Sequence, residues 1–545
     1  MKVDFIIRNG RILDGTGAPE RRGDIAVAAG RIHAVSDRLE RLEADEEIDA
    51  AGLVVAPGFI DIHSHGDLVL AWPSEDRLSL LEGRLAQGIT TEVVGNCGLG
   101  ASPLFGYGKE LLPHINGWMS PATFDWHWSD LNSYFSHLES VGIPANVGTL
   151  VPHGPLRLGA AHLASGETDE AARRQMTDAL DAALDDGALG LSAGLIYPPG
   201  MYTSTSELTV LARRLSRRGG VFTAHVRGSS ETLLDAVGEL IQIGRDAEVP
   251  IHHSHTEAVG RAHWSKLSRV LELEDEARAA GLTLSADMFP YPVAATMMLA
   301  IYPPWSLEGG LPRLLERLAD PPTRERIRRD IETVVPEWPP WKENGWPHNL
   351  VKAVGWDRIR VSSVGLDRNK GAEGHSLEEL GRQRSSLPFD AISDLMIEED
   401  GNVGQFVLDI SGEEGLRQLL QRPDVAFITD ANDYGKGKPH PAAYGGFPRV
   451  LGRYVREESL LSLPEAVRRM TSLPADTLRL EGCGRLQVGA HADVVLFDSE
   501  EISDRATLED SRRKAIGVDT VLVNGRAVYR KGAATGTLPG QILRR

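Results

Sequence analysis

Eight short apolar runs, each parted from the next by enough chain for a helix, constrain this sequence more than any other feature. They are VVAPGFIDIHSH, GITTEVVGNC, ANVGTLVPH, GALGLSAGL, GVFTAHVRG, VPIHHSH, LTLSADMFP and VAFITD. Helical stretches such as DEAARRQMTDALDAALDDG and TLLDAVGELIQIGRDA lie between successive runs. Such alternation predicts an α/β fold with a parallel sheet, most simply closed into a (β/α)8 TIM-type barrel. Cys97, His153, His225, His255, Asp287 and Asp430 fall at the C-terminal ends of their runs. That is the face where barrel enzymes keep their chemistry. Any one of them reads equally well as a hydrogen-bonded structural residue, but six in phase point to a site.

The first run ends in GFIDIHSHGD, which places His63 and His65 two residues apart. On a strand both rings then point to the same face. Neutral imidazole is a common ligand for zinc, so the pair supplies half of a tetrahedral site.

With 545 residues the chain exceeds a single simple core, which predicts a barrel-type domain with an accessory one. Residues 1–55 read as short strands broken by Asn-Gly and Ala-Gly turns, and residues 481–545 repeat that style. The two ends are expected to form one small β-domain around a barrel spanning 56–480; the alternative is two independent caps. Between Asp287 and Asp430 the chain is far longer than one helix requires, which predicts an insertion at about 296–420, before the last barrel strand. Its Trp/Pro-rich stretch VPEWPPWKENGWPHNL reads either as a lid or substrate-binding loop or as packing of the insertion onto the barrel.

Composition narrows the function. Hydrophobic residues at 41% and charged residues at 25% are ordinary for a soluble globular protein. A net charge of -19 repels a phosphate backbone and argues against nucleic acid as a partner. No apolar run reaches the roughly 20 residues of a membrane span, and the N-terminus lacks a secretory h-region, so a cytoplasmic protein is expected. Arg far outnumbers Lys, as in a GC-rich bacterial genome. Cys97 and Cys483 are the two cysteines, too few for a disulfide framework.

GFIDIHSH, with a Cys at the second strand, His at the fifth and sixth and Asp at the eighth, resembles the amidohydrolase superfamily. GITTEVVGNCG, GLSAGLIYPPGMY, FTAHVRG, SHTEAVG, PYPVAATMM, PHPAAYGGFPRVLGRY and MTSLPADTLRL are similar, over nearly the whole chain, to the N-acyl-D-amino-acid deacylases. The resemblance implies a barrel with a small β-domain, bound zinc, and hydrolysis of an N-acyl amide, with a small molecule as partner and oligomers possible. It makes Cys97, His225 and His255 the ligands of a tightly held zinc. His63, His65 and Asp430 would form a second, weaker position sharing Cys97. Asp430 would also be catalytic, taking a proton from water and returning it to the leaving nitrogen; the alternative is a purely structural ligand. Cys97 has a rival role as a nucleophile, but no Cys/His activation motif surrounds it. His153 and Tyr197 are candidates to support the oxyanion or seat the acyl chain, and either can equally be packing. Tyr291 joins the substrate-binding candidates. Arg227 shares the face of His225, to bind a carboxylate or pair with Asp287. Asp67 is a candidate to orient a ligand histidine, with Asp287 also placed behind the ligands.

Three departures from the resemblance bear on specificity. Glu257 in SHTE stands where these deacylases carry Lys, Ala442 in HPA where they carry Arg, and Thr429-Asp430-Ala431 replaces Ser-Asp-Gly. Those two cations are the expected partners of the substrate's α-carboxylate. Losing one removes a charge-assisted contact of about 1.5–3 kcal/mol, and a carboxylate in place of the other repels. The expectation is an amide whose amine portion is neutral, cationic or aromatic; the alternative is a true N-acyl-D-amino-acid deacylase. A cyclic-amide hydrolase is disfavoured because GALGLSAGL lacks the bridging lysine of that class. A non-catalytic barrel protein is expected to lose ligands that this chain keeps.

Overall fold

A computed structural model describes residues 2–40, 42–339 and 345–545, the side chain of His114 aside. The two chain ends meet in one nine-stranded sheet. Lys2–Ile12 lies antiparallel to Arg21–Ala28 and parallel to Val54–Pro57, which in turn pairs antiparallel with Val494–Phe497 from the other end. Ile7, Ile25, Val55, Leu496 and Leu522 pack into a single buried cluster drawn from both ends. Strands from both chain ends thus share one sheet and one buried cluster.

Two of the turns form as the dipeptides imply. Ala29-Gly30 and Asn524-Gly525 both have consecutive positive φ values, +50° and +73°, +46° and +72°, the conformation that tight hairpins demand. Asn9-Gly10 differs, because it is a bulge inside the continuous strand Lys2–Ile12. A Cβ at Gly10 would lie 2.5 Å from the Val55 side chain, so the glycine serves strand packing instead of reversing the chain. The acidic stretch Glu43–Asp49 is a further strand, parallel to Lys2–Ile12, with alternately exposed residues. Its charge density hid it from a reading based on apolar runs.

Each of the eight apolar runs contains a strand that lies parallel to its paired neighbours; the first run also holds Val54–Pro57 of the terminal sheet. Phe59–Asp61, Ile89–Val94 and Asn146–Thr149 form one arc. Val151–Pro152, Gly190–Gly194, Val221–His225, Ile251–His253, Leu284–Met288 and Val425–Phe427 form the other. The arcs share one run of chain, since only Leu150 parts Thr149 from Val151, and its N–H donates to the Val94 carbonyl at 2.9 Å. At the opposite junction the Asp430 N–H donates to the His63 carbonyl at 3.0 Å. Helices including Glu170–Asp185, Thr205–Ser216 and Leu233–Ala247 cover the strands. The first two start with side-chain caps, Asp169 accepting from the Ala172 N–H at 2.8 Å and Ser204 from the Glu207 N–H at 3.3 Å.

The long segment before the last strand builds a three-stranded antiparallel sheet from Val293–Met297, Ile359–Ser363 and Gly404–Leu408, with helices such as Pro321–Thr333 and Pro388–Glu398. In the Trp/Pro-rich stretch, Trp346 is 3% exposed and Trp338 packs against the core. Both behave as packing residues. Trp341 and the rest of 340–344 lie outside the described residues. No helix among the described residues is long and apolar enough to cross a membrane.

Candidate metal centre

The ends of the first, second, fifth, sixth and eighth strands converge on one buried cluster. One nitrogen, sulfur or carboxylate oxygen from each of Cys97, His225 and His255 lies within 4.8 Å of the others. The same holds for His63, His65, Cys97 and Asp430. The Cys97 sulfur is thus common to both groups, 3.2 Å from His63 Nε2 and 3.4 Å from His255 Nε2. Asp430 Oδ1 lies 3.3 Å from His63 Nε2 and 3.2 Å from His65 Nε2. His225 Nε2 is buried and has no hydrogen-bond partner. An orphaned imidazole nitrogen beside a thiolate and further imidazoles is a donor set suited to zinc.

Electrostatics favour the ligand forms. Burial alone would push the Cys97 thiol up, but His63 and His255 hold it well below its ordinary range. Burial with the nearby His255 lowers His225 to about 4, keeping it neutral. Burial opposes ionisation of Asp430, yet His63 and His65 hold its carboxyl low.

Local backbone shape brings these groups together. Cys97, His255 and Asp430 have φ of +51°, +35° and +48°, in the left-handed region that non-glycine residues seldom occupy. Each turns the chain sharply at a strand end. Next to Cys97 the approach is so close that a Cβ on Gly194 would sit 1.9 Å from the Cys97 carbonyl oxygen, which accounts for the glycine there.

Asp287 is a supporting group, not a member of either cluster. Its Oδ2 lies 3.1 Å from His63 Nδ1 and 2.8 Å from His252 Nε2, and it accepts the His255 backbone N–H. Asp67 was the other candidate for orienting a histidine, but its Oδ2 and His65 Nδ1 are both buried without a hydrogen-bond partner. Asp287 performs that orientation, on His63. Sequence reasoning missed a second support. Buried Arg84 donates to Asp61 at 2.6 Å and to the Ala431 carbonyl at 3.0 Å, and its Nε lies 3.2 Å from Glu92. Asp61 in turn accepts from the Thr429 hydroxyl at 2.6 Å, tying the first strand to the eighth. Asp61 was visible in GFIDIHSH, but nothing in the sequence pairs it with Arg84.

Above the cluster opens a cavity of about 1040 Å3, with His65, Cys97, His225, His255 and Asp430 in its wall. Tyr197 and Glu257 line it, Tyr197 with its hydroxyl 2.7 Å from that of Thr296 and its ring edge-on to His225. Burial raises Glu257 to about 7, and its Oε2 has no partner.

His153, Arg227 and Tyr291 do not line this cavity. His153 Nε2 lies 3.1 Å from Glu207, which also accepts from Arg157 at 2.6 Å. The Arg227 guanidinium grips Glu239 at 2.9 and 3.0 Å and donates to the Thr203 carbonyl, so it pairs with Glu239 and not with Asp287. The Tyr291 hydroxyl donates to Asp504 at 3.2 Å while Arg449 stacks on its ring. In each case an ion pair or hydrogen bond within the protein holds the polar group away from the cavity.

Residues not foreseen also line the wall. His440 lies in the quoted PHPAAYGG, where attention fell on the missing Arg; its Nε2–H donates to the Val293 carbonyl at 2.8 Å. His348 comes from the insertion, and Lys436 and Lys438 from GKGK just before His440. Ala442 is fully buried at the start of the helix Ala442–Arg449 and brings no charge.

Residues 46–303 and 372–529 match the Amidohydrolase family, and the chain belongs to it. It is 34% identical to an N-acyl-D-glutamate deacylase of Alcaligenes xylosoxydans xylosoxydans, over 100% of this chain and 97% of that protein. A D-aminoacylase of the same organism is 30% identical, over 99% and 98% of the two chains. Among solved structures, the N-acyl-D-glutamate deacylase of Bordetella bronchiseptica, complexed with zinc and a phosphonate mimic of the tetrahedral intermediate, superposes with a TM-score of 0.82 at 32% identity, covering 100% of both chains. The fold is accordingly the TIM barrel plus an extra domain of this family.

Proposed function

We propose that this protein is a zinc-dependent hydrolase that cleaves the linear amide bond of an N-acyl compound. The observation carrying this reading is the Cys97, His225 and His255 donor set in the cavity wall, joined through the shared thiolate to His63, His65 and Asp430. The names of the relatives, N-acyl-D-glutamate deacylase and D-aminoacylase, agree with it. Cys97, His225 and His255 would hold a tight ion, and His63, His65 and Asp430, together with Cys97, would hold a weaker one. When bound, zinc supplies a Lewis acid and lowers the pKa of water from about 15.7 towards 7. Asp430 accepts the proton of the attacking water and returns it to the leaving nitrogen. Asp287 fixes the His63 ring, and with it the face that Asp430 approaches. As to architecture, the hydrogen bonds at both junctions support reading the two arcs as one closed (β/α)8 barrel over 56–480, with 1–55 and 481–545 as the β-domain and an insertion at about 296–420.

The amine portion of the substrate lacks an α-carboxylate. Glu257 supports this, since its unpaired Oε2 is buried in the cavity wall where a carboxylate guest would meet repulsion and a donor would be welcomed. The presence of Lys436 and Lys438 in the same wall favours a second reading, in which these lysines bind a carboxylate and the protein releases a D-amino acid. Turnover by zinc-loaded protein of one acyl group on D-amino acids, on their carboxamides and on simple amines separates the two. The expected result is a preference for the amides and amines, shifting toward the carboxylates in Glu257→Lys. Turnover confined to the carboxylates establishes the second reading instead.

A further inference from the structure

We propose that an apolar chamber next to the catalytic cavity houses the distal part of a long or aromatic acyl group, so that the substrate is a fatty or arylalkanoyl amide and not a simple acetamide. This rests on the hydrolase reading above. The chamber, partly open to solvent, spans about 570 Å3 and is walled by Leu163, Met297, Leu299, Leu307 and Leu311, with Asn402 and the Trp118 indole N–H the polar groups among the described lining residues.

Three pieces of chain join it to the catalytic cavity. Trp118 stands in both walls. Ile196 and Tyr197 line the catalytic cavity and the next residue, Pro198, lines the chamber. Likewise Thr296 lines the cavity and Met297 the chamber. The two spaces therefore share a partition made of Trp118 and two strand-end segments. In that partition the Trp118 indole N–H is buried without a hydrogen-bond partner, and its ring meets Tyr434 edge-on at 5.8 Å.

The contents of the two spaces assign their roles. The catalytic cavity carries the ionisable groups, Glu257, His348, Lys436 and Lys438 among them, suited to a polar amine portion. An apolar wall rewards burial of an alkyl or aryl chain and offers nothing to a charged group. The acyl chain is attached directly to the scissile carbonyl, and an alkyl or aryl chain there brings no polar group that such a wall would leave unpaired.

Two series on zinc-loaded protein test this. Unbranched N-acyl derivatives of one amine, acetyl to decanoyl, give kcat/KM against chain length; the free carboxylates, acetate to decanoate, give affinity by calorimetry without any turnover. Both are expected to rise about fourfold per methylene buried until the chamber is full. Leu299→Trp and Ile115→Trp, at two half-buried wall positions, are expected to flatten both slopes. Flat or falling slopes in the unmodified protein, or slopes that neither substitution changes, overturn the chamber. If no amide is hydrolysed while carboxylate affinity still climbs with length, the hydrolase reading fails and the chamber stands.

Discussion

Cys97, His255 and Asp430 adopt left-handed backbone at a cost of about 1–3 kcal/mol each, a strain that persists only where surrounding structure enforces it. All three belong to the clusters suited to metal, which ties the strain to the chemistry. Asn tolerates the left-handed region about as well as Asp. Asp430→Asn should therefore fold normally, retain one tightly bound zinc on Cys97, His225 and His255, and lose roughly 10²- to 10⁴-fold in kcat through loss of the proton carrier. Metal analysis alongside turnover checks both halves; undiminished kcat would reduce Asp430 to a structural role. The metal-cluster residues were legible in the sequence because each ends an apolar run. The partners of Arg227, His153 and Tyr291 were not legible, because face and strand position do not reveal them; Glu239, Glu207 and Asp504 lie 12, 54 and 213 residues away.

At the scale of elements, the junction between the first and eighth strands depends on a buried polar network more than on a ladder. Asp61 accepts from Arg84 and Thr429, and Arg84 reaches both Glu92 and the Ala431 carbonyl. Removing one member leaves buried charge without compensation, which typically costs about 3–5 kcal/mol. Arg84→Met should lower unfolding free energy by that amount, read from urea denaturation with unchanged m-value. A loss below about 1 kcal/mol would mean the junction is held by strand contacts alone. The strands were legible from hydrophobic runs and turn residues, whereas Glu43–Asp49 and the bulge at Asn9-Gly10 were not. An acidic edge strand has no apolar signature, and Asn-Gly serves a bulge as readily as a turn.

Across the whole molecule, the chain ends close one sheet, the barrel strands aim a thiolate, imidazoles and a carboxylate at one point, and the insertion walls the cavity above it. That both ends form strands was legible, because both carry the same hairpin style. The insertion's contribution was not, since Ser362 and Val407 reach the cavity through its own antiparallel sheet and His348 from the segment just before the helix Leu350–Val354. The central claim is that this convergence makes a zinc-dependent amide hydrolase. Its most direct test is to strip the protein with a chelator, return zinc stepwise, and follow hydrolysis of the amide panel at each step. The account predicts no turnover by metal-free protein and recovery as the first equivalent binds, with His225→Ala failing to recover. Full turnover without metal, or none by zinc-loaded protein on any member of the panel, would contradict it.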